Sequence, residues 1–318
     1  MDISVKNPKF KKTRKNLKRN LLIASLLIVP LIHFLVFWIY INIETISLAF
    51  MQWDSYENDY KFVGLDNFIT QFKELKEIPT HRNMFINSFR AIPINVACLV
   101  LAIIIGYAFS KHIRGERIFR VIFYMPSMIS IVILTLCYRY MFDYKVGMLR
   151  GPAAEFLRML GFNYTGWNLD DPNGTVAWWL ISIFCVWASA GINIILVSSA
   201  MSRIPESVIE SAKLDGVGFW RELFKIRIPL IMHTVSVFLV NSMMAVSAFY
   251  MQPMLLTGNM GVGQIHYTVG WYVFDSAAAT NEKLPAVSTI GFMLTVAVSL
   301  LVIIVKKITD KITPDVDF

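Results

Sequence analysis

Residues 176–200 read VAWWLISIFCVWASAGINIILVSSA, an apolar run of 25 residues without a charged side chain. A helix needs roughly 20 apolar residues to cross about 30 Å of hydrocarbon, so this run is long enough to span a membrane. Backbone polar groups find no water inside a bilayer, and a helix satisfies them internally. The run therefore predicts a transmembrane helix.

Five further apolar blocks share this pattern, with polar segments between them. They cover residues 21–41 (which could run on to residue 50), 92–109, 121–141, 228–251 and 285–305. Only 16% of the chain is charged, whereas soluble domains carry about 25% charged residues. We therefore predict an all-α polytopic membrane protein with about six transmembrane helices. A transmembrane domain (21–306) would lie between a basic N-terminal tail (1–20) and a C-terminal tail (307–318).

The distribution of Lys and Arg predicts the orientation of these spans. If the N-terminus is cytoplasmic, 20 of the 30 Lys and Arg residues lie in the tails and the two inner loops. The outer segments then hold the remaining 10. Lys and Arg favour the cytoplasmic side of a membrane protein, so both termini are predicted to be cytoplasmic.

Charge and cysteine placement exclude several classes of function. The net charge of +8 comes from basic residues that flank apolar blocks, where they can interact with anionic lipid headgroups. This placement argues against nucleic-acid binding. Cys98, Cys137 and Cys185 lie inside apolar blocks without the spacing of a metal site. We predict no metal site and no cofactor in this chain.

The spans also lack the residues that two other membrane functions require. A gradient-driven transporter needs charged groups in mid-span, but Glu44 and His233 lie near span edges. A membrane enzyme would need a catalytic cluster such as HExxH or paired carboxylates, and neither is present. The phosphate-binding pattern GxxxxGK[ST] is absent as well, so any ATP would be bound by another chain.

The polar segment 201–227, MSRIPESVIESAKLDGVGFWRELFKIR, has the features of a helix–turn–helix. Pro205 suits the start of a helix, and Val208, Ile209 and Ala212 would share one face of it. Asp215-Gly216 would end this helix, because glycine accepts the positive φ of a helix terminus. A second short helix would follow over 219–224. Its apolar surface could lie flat on the headgroups or dock on a partner, and chemistry alone leaves both open.

A family resemblance favours docking. Glu210-Ser-Ala212, Asp215-Gly216, Ile226 and Pro229 resemble the EAA loop of bacterial ABC-importer permeases. The family pattern is Glu-Ala-Ala, three residues, Gly, nine residues, Ile-x-Leu-Pro. The spacing is met throughout, with Ser211 in place of Ala and Ile228 in place of Leu.

The resemblance extends over nearly the whole chain, to the sugar-type permeases related to the maltose importer. The segments that carry it are SLAF (47–50) with Trp53, FVGLDNF (62–68), Asn87-Ser88, RGERIFR (114–120), YMP (124–126) and LLTG (255–258). The sequence departs from the family after Thr257, where Gly258-Asn-Met-Gly261 replaces the usual Gly-Gly-Pro.

The resemblance implies a permease subunit without enzymatic activity, driven by a separate ATPase that binds ATP and Mg²⁺. The residues implied in ATPase coupling are Glu210, Ala212, Asp215, Gly216, Ile226 and Pro229. Implied partners are a second homologous permease (a heterodimer), two ABC ATPase subunits and an extracytoplasmic solute-binding protein, assembled at the cytoplasmic (inner) membrane.

The cargo implied by the resemblance is a carbohydrate, and an oligosaccharide in particular. Sugars bind flat aromatic faces and polar rims, so Trp187, Ser189, Asn193 and Tyr250 are candidate substrate-binding residues. Polar residues in spans also mediate helix packing, which remains an alternative role for each of them. A non-sugar cargo such as glycerol phosphate, an amino acid or a peptide is the alternative function.

Overall fold

A computed structural model describes residues 9–142, 159, 169, 175–258, 265–277 and 281–313. In that part of the chain, four helices are long and apolar enough to cross a membrane, and the number of candidate spans reaches six when each of two bent helix pairs is counted as one span. We number them span 1 (Arg19–Leu48), span 2 (Pro79–Ser110), span 3 (Glu116–Met128 with Ile131–Met141), span 4 (Thr175–Met201), span 5 (Phe219–Leu230 with Met232–Ala248) and span 6 (Leu284–Ile312). The predicted all-helical polytopic fold is confirmed.

The described helices follow one another in this order. They are α1 (Lys9–His33), a π-helical segment (Phe34–Tyr40), α2 (Ile41–Leu48), α3 (Asp66–Glu77), α4 (Pro79–Phe89), α5 (Ala91–Ser110), α6 (Glu116–Met128), α7 (Ile131–Met141), α8 (Thr175–Met201), α9 (Glu206–Leu214), α10 (Phe219–Glu222), a second π-helical segment (Leu223–Arg227), α11 (Ile228–Leu230), α12 (Met232–Ala248), α13 (Met251–Thr257), α14 (Val269–Ala277) and α15 (Leu284–Ile312).

A small β-hairpin follows span 1 and interrupts the helical pattern. Strands β1 (Met51–Asp54) and β2 (Asp59–Phe62) pair antiparallel, with Trp53 opposite Tyr60. The two rings contact each other edge to face at 4.9 Å between centroids. The amide of Asn67 on α3 donates to the carbonyl oxygens of Ala49 and Met51 at 3.1 and 2.7 Å. The hairpin is therefore tied to the end of span 1 and to α3.

Span 3 differs from the single block predicted over 121–141. Its two halves, α6 and α7, are bent by 98° at the short break between them. Ile129 is extended (φ −85°, ψ 142°) and takes the chain out of the first helix. The break follows Pro126, which has no N–H to offer, and Ser127, whose hydroxyl donates to the backbone carbonyl of Tyr124.

Span 5 is likewise bent, by 78°, where 228–251 was predicted as one block. The bend lies at Ile231 (φ −99°, ψ 13°), two residues after Pro229. Proline removes one helical hydrogen bond and its ring crowds the carbonyl four residues earlier, so a bend near Pro229 has a physical cause. The first part of this span is continuous with the helix predicted over 219–224, so the polar loop and span 5 are joined without a flexible linker.

Glycines let the central helices approach one another closely. A Cβ atom on Gly191 of α8 would lie only 2.2 Å from the carbonyl oxygen of Phe123 on α6. A Cβ on Gly106 of α5 would lie 3.1 Å from the backbone nitrogen of Ser198 on α8. Small residues at such contacts allow backbone packing between helices in membranes. Spans 2 and 3 therefore each pack closely against span 4.

Span 1 lies at the periphery of the bundle. Its most apolar 18-residue window has no buried residue, and side chains such as Leu26 (67% exposed) and Val29 (70%) are open all round the helix. Its far end is held by Thr289 of α15, whose hydroxyl donates to the carbonyl of Ala49 at 3.1 Å. An apolar helix with no buried residue over its central part fits a lipid environment.

Candidate functional site

The segment 205–227 forms the predicted helix–turn–helix, which we call the 205–227 hairpin. Helix α9 ends where the sequence predicts, because Gly216 has a φ of +68°. The N–H of Gly216 donates to the carbonyl of Lys213 at 3.0 Å, and the N–H of Val217 donates to that of Ala212 at 3.1 Å. These are the two bonds of a Schellman motif. The turn thus fixes the direction of the second helix relative to the first.

The hairpin has one buried face and one open apolar face. On α9, Ile209 and Ala212 are each 7% exposed and Val208 is half-buried, as predicted. The open face carries four large apolar side chains, which we call the hairpin patch: Leu214 (89% exposed), Phe219 (45%), Trp220 (59%) and Phe224 (60%). The ring centroid of Trp220 lies 5.1 Å from that of Phe219 and 6.0 Å from that of Phe224, so the three aromatic side chains form a continuous exposed apolar surface, which is typical of an interaction site.

The six residues assigned to coupling by resemblance occupy two environments. Glu210 and Asp215 are exposed, and the side chain of Glu210 makes no ion pair or hydrogen bond within the described residues. Ala212 is buried, while Ile226 and Pro229 are half-buried. Ile226 packs against the apolar core formed by spans 2, 4 and 5. Of these six residues, only Glu210, Asp215 and Gly216 are therefore exposed to a partner.

A buried ionic cluster fastens the hairpin to span 2. We call it the Glu222 cluster, and its members are Tyr107, Ser110, Lys111, Glu222 and Arg227. The carboxylate of Glu222, 4% exposed, accepts from Nζ of Lys111 at 2.9 Å and from Nε of Arg227 at 2.8 Å. Arg227 also donates to the Ser110 hydroxyl at 2.9 Å. Two cations and one anion thus join the end of α5 to the start of span 5.

Aromatic rings complete the Glu222 cluster. The fully buried ring of Tyr107 lies 4.6 Å from the ring of Phe219, and Nζ of Lys111 and Cζ of Arg227 lie 4.8 and 5.2 Å from its centroid. Burial alone would lower the pKa of Lys111, but hydrogen bonding to Tyr107 and Glu222 raises it above its usual value. Lys111 therefore stays charged, and it lies at the partly exposed edge of the Glu222 cluster.

Sequence reasoning missed the Glu222 cluster for two reasons. Glu222 and Lys111 are 111 residues apart in the chain, and no local pattern links them. Glu222 and Arg227 are five residues apart, which in an ordinary helix separates two side chains by roughly 140°. The π-helical segment Leu223–Arg227 widens this turn, with the N–H of Ile228 bonded to the carbonyl of Leu223. The available signal was the unusual number of charged residues next to an apolar span.

A cavity of about 880 Å³ lies between spans 2 and 4, away from the hairpin. Its described lining residues are mainly apolar, with a few polar groups. They are Asn83, Ile86, Asn87, Arg90, Pro93, Ile94, Ala97, Leu101, Phe123, Thr175, Trp178, Trp179, Ser182, Ile183, Val186, Trp187, Ala190 and Ile265. A concave site of this size and composition suits a small organic ligand.

The structure brings only one of the four predicted substrate-binding residues to this cavity. Trp187 lines it and is 45% exposed. Ser189 is exposed on α8 outside the lining. The amide of Asn193 points to the Sγ atom of Cys98 at 3.1 Å, in the contact between spans 2 and 4. Tyr250 stacks on Phe274 with 5.4 Å between ring centroids, again outside the lining.

Comparison with known proteins places the chain among transport components. Residues 98–317 match the family described as "Binding-protein-dependent transport system inner membrane component". The chain is 26% identical over 293 residues to the "Probable ABC transporter permease protein YurN" of Bacillus subtilis, with 89% of this chain and 95% of that protein covered. It is 27% identical over 289 residues to the "Multiple sugar-binding transport system permease protein MsmF" of Streptococcus mutans, with 89% and 94% covered.

A solved structure has the same fold. It belongs to a bacterial ABC transporter described as involved in the import of the acidic polysaccharide alginate, and it superposes with a TM-score of 0.77. The match covers 95% of this chain and 100% of that one at 20% sequence identity.

Proposed function

The chain belongs to the family of inner-membrane components of binding-protein-dependent transport systems, and we propose that it forms half of the translocation pathway for a carbohydrate, an oligosaccharide in particular. The proposed mechanism is alternating access, in which two permease subunits rock between inward- and outward-facing states. The chain itself would bind neither ATP nor Mg²⁺ and would catalyse no reaction.

The observation that carries this proposal is the geometry of the 205–227 hairpin. Its hairpin patch and the unpaired carboxylate of Glu210 are open to a partner, while the Glu222 cluster fastens its other side to span 2. A force applied to the hairpin would therefore reach the spans through buried ion pairs and through the helical segment Phe219–Leu230, which forms the first part of span 5. We propose that the partner is an ABC ATPase and that Glu210 bonds to basic groups on it.

The family supports the assignment of partners. The family's own description includes a binding protein, which would deliver cargo from the outer side. We propose that a second homologous permease completes the pathway and that two ATPase subunits dock on the paired hairpins. The membrane would be the cytoplasmic (inner) membrane, with both termini in the cytoplasm, as the distribution of Lys and Arg favours.

The carbohydrate assignment rests on the relatives and on the cavity wall. MsmF is described as a component of a multiple-sugar transport system. In this chain, Trp179 and Trp187 line the cavity, and the polar residues Asn83 and Ser182 line it as well. Flat aromatic faces suit the C–H surfaces of sugar rings, and amides and hydroxyls suit their rims. Ser189, Asn193 and Tyr250 remain proposed contacts outside this cavity.

The function is tested by the ATPase activity of the reconstituted importer. A panel of binding proteins, each loaded with one sugar, amino acid, peptide or glycerol phosphate, is added to proteoliposomes that contain the complete transporter. We expect at least one sugar-loaded binding protein to stimulate ATP hydrolysis and uptake. Trp187→Ala should change the order of preference among sugars, with the amount of co-purified ATPase unchanged, because Trp187 lines the cavity and lies about four helical turns before the end of α8, where the chain leads into the hairpin.

Two results would contradict the proposal. Stimulation by amino acid, peptide or glycerol phosphate alone would replace the carbohydrate assignment with another cargo. A purified complex without an ATP-hydrolysing subunit would remove the proposed mechanism. Trp38→Ala is a matched control for Trp187→Ala, because Trp38 is exposed on span 1 and does not line the cavity.

A further inference from the structure

The cavity between spans 2 and 4 has a wall of one charge sign. Arg90 is the only ionisable side chain among its described lining residues, which include no aspartate or glutamate. The other polar groups there belong to asparagine, serine, threonine and tryptophan side chains. The described wall therefore carries a positive charge without a counter-charge.

Arg90 is held in place by stacking and not by an ion pair. Its Cζ atom lies 4.5 Å from the centroid of the Trp178 ring. Trp178 is 5% exposed and packs in turn against Phe249, with 6.3 Å between ring centroids. Within the described residues, the guanidinium makes no hydrogen bond or ion pair. Its five N–H donors therefore have no acceptor among the described residues, and a half-buried charged group gains much from one.

Arg90 also sits at the edge of the apolar part of span 2. Helix α5 begins directly after it and runs for 20 residues, which corresponds to about 30 Å. Lys111 and the Glu222 cluster lie at the other end of this helix. Arg90 and the cavity are thus displaced toward the side opposite the hairpin, which is the side from which an imported molecule would arrive.

The neighbouring backbone keeps this part of the cavity in shape. The amide of Asn87, one helical turn before Arg90, donates to the carbonyl oxygens of Ile265 and Tyr267 at 2.7 and 2.8 Å. The hydroxyl of Ser88 accepts from the N–H of Val269 at 2.8 Å. These bonds fix the segment at 265–269 against the part of span 2 that carries Arg90.

We propose that the cargo is an acidic carbohydrate, a sugar that carries an oxyanion such as a carboxylate or phosphate, and that Arg90 binds this group. The inference rests on the proposed function and adds the charge of the cargo to it. A guanidinium binds planar oxyanions with two parallel hydrogen bonds, which gives orientation as well as affinity. Trp179 and Trp187 would hold the sugar rings next to it.

The test compares acidic and neutral cargo in the complete importer reconstituted in proteoliposomes. Uptake is measured for a uronic-acid oligosaccharide, a neutral oligosaccharide of the same length and a sugar phosphate. We expect wild-type uptake of at least one of the two anionic cargoes, and the better of them identifies the oxyanion. Arg90→Gln should lower that uptake by about ten- to a hundredfold, since a charge-assisted hydrogen-bond pair is lost, and leave neutral-sugar uptake unchanged.

Two further variants separate binding from folding. Arg90→Lys keeps the charge and loses the planar fork, so we expect a smaller loss for anionic cargo. This variant decides the question if Arg90→Gln fails to assemble with the ATPase. Arg82→Gln is the matched control, because Arg82 is exposed on the same span and lies outside the cavity lining. It should transport every cargo like the wild type.

The outcomes also separate this inference from the proposed function. Uptake of neutral sugars alone, or equal losses for neutral and anionic cargo in the Arg90 variants, would overturn the acidic-cargo assignment and leave carbohydrate import standing. Absence of uptake for every sugar, with uptake of another solute, would overturn both. Selective loss of anionic cargo in Arg90→Gln would establish the assignment.

Discussion

A Glu210→Lys variant should lose uptake by at least about a hundredfold, because reversing the charge of the proposed docking carboxylate replaces attraction with repulsion. Like charges brought together at an interface cost several kcal/mol, and about 1.4 kcal/mol corresponds to a tenfold change. Glu210 is exposed and makes no ion pair within the described residues, so the variant should fold and insert normally. Uptake and ATPase co-purification are measured on the same membranes.

Glu77→Lys is the matched control for Glu210→Lys. Glu77 is also exposed on a helix, α3, but it precedes span 2 and so lies at the end of the bundle away from the hairpin. The same change of charge there should leave uptake and ATPase binding intact. Normal transport by Glu210→Lys, with the ATPase bound as in the wild type, would show that Glu210 has no part in docking.

A Glu222→Ala variant should release the hairpin from span 2. Removing one member of a buried ion pair leaves its partner charge uncompensated, which costs about 3–5 kcal/mol. Arg227 is only 6% exposed in its side chain and cannot reach water without a local rearrangement. We expect faster hydrogen exchange over residues 205–227, measured by mass spectrometry, and less cargo imported for each ATP hydrolysed.

Two comparisons make the Glu222 prediction specific. Glu57→Ala removes the partner of an exposed ion pair with Lys61 and should change neither exchange nor uptake. The double variant Glu222→Leu with Arg227→Met removes both buried charges, and such replacements are often neutral or stabilising. It should restore protection of the hairpin relative to Glu222→Ala. Unchanged exchange in Glu222→Ala would mean that the cluster does not fasten the hairpin.

The span pattern and the hairpin could be predicted because they depend on local sequence. Apolar length sets the helices, and Gly216 sets the turn through its backbone conformation. The bends in spans 3 and 5 were not predicted, although Pro126 and Pro229 lie close to them. An apolar block gives no periodic signal that distinguishes a straight helix from a broken one, so prolines were the remaining local indication.

The candidate site residues were likewise predictable only in part, namely where a local pattern indicates them. Trp187 lines the cavity, but Ser189 is two positions further along α8 and so lies on a different face, roughly 200° away. Aromatic and polar residue types therefore pointed to a span that lines the cavity, and they did not specify which face of that span does so. The Glu222 cluster and the pairing of Arg90 with Trp178 depend on contacts between distant parts of the chain, and no local pattern specifies them.

The most direct measurement concerns the side of the membrane on which the hairpin lies and what covers it. Leu214 is 89% exposed at the tip of α9, so Leu214→Cys offers a thiol for a membrane-impermeant maleimide. In vesicles that contain the complete importer, we expect labelling from the cytoplasmic side only and protection of the thiol when the ATPase is bound. Labelling from the outer side, or labelling that the ATPase does not alter, would contradict the proposal that this hairpin transmits ATP-driven motion to the spans.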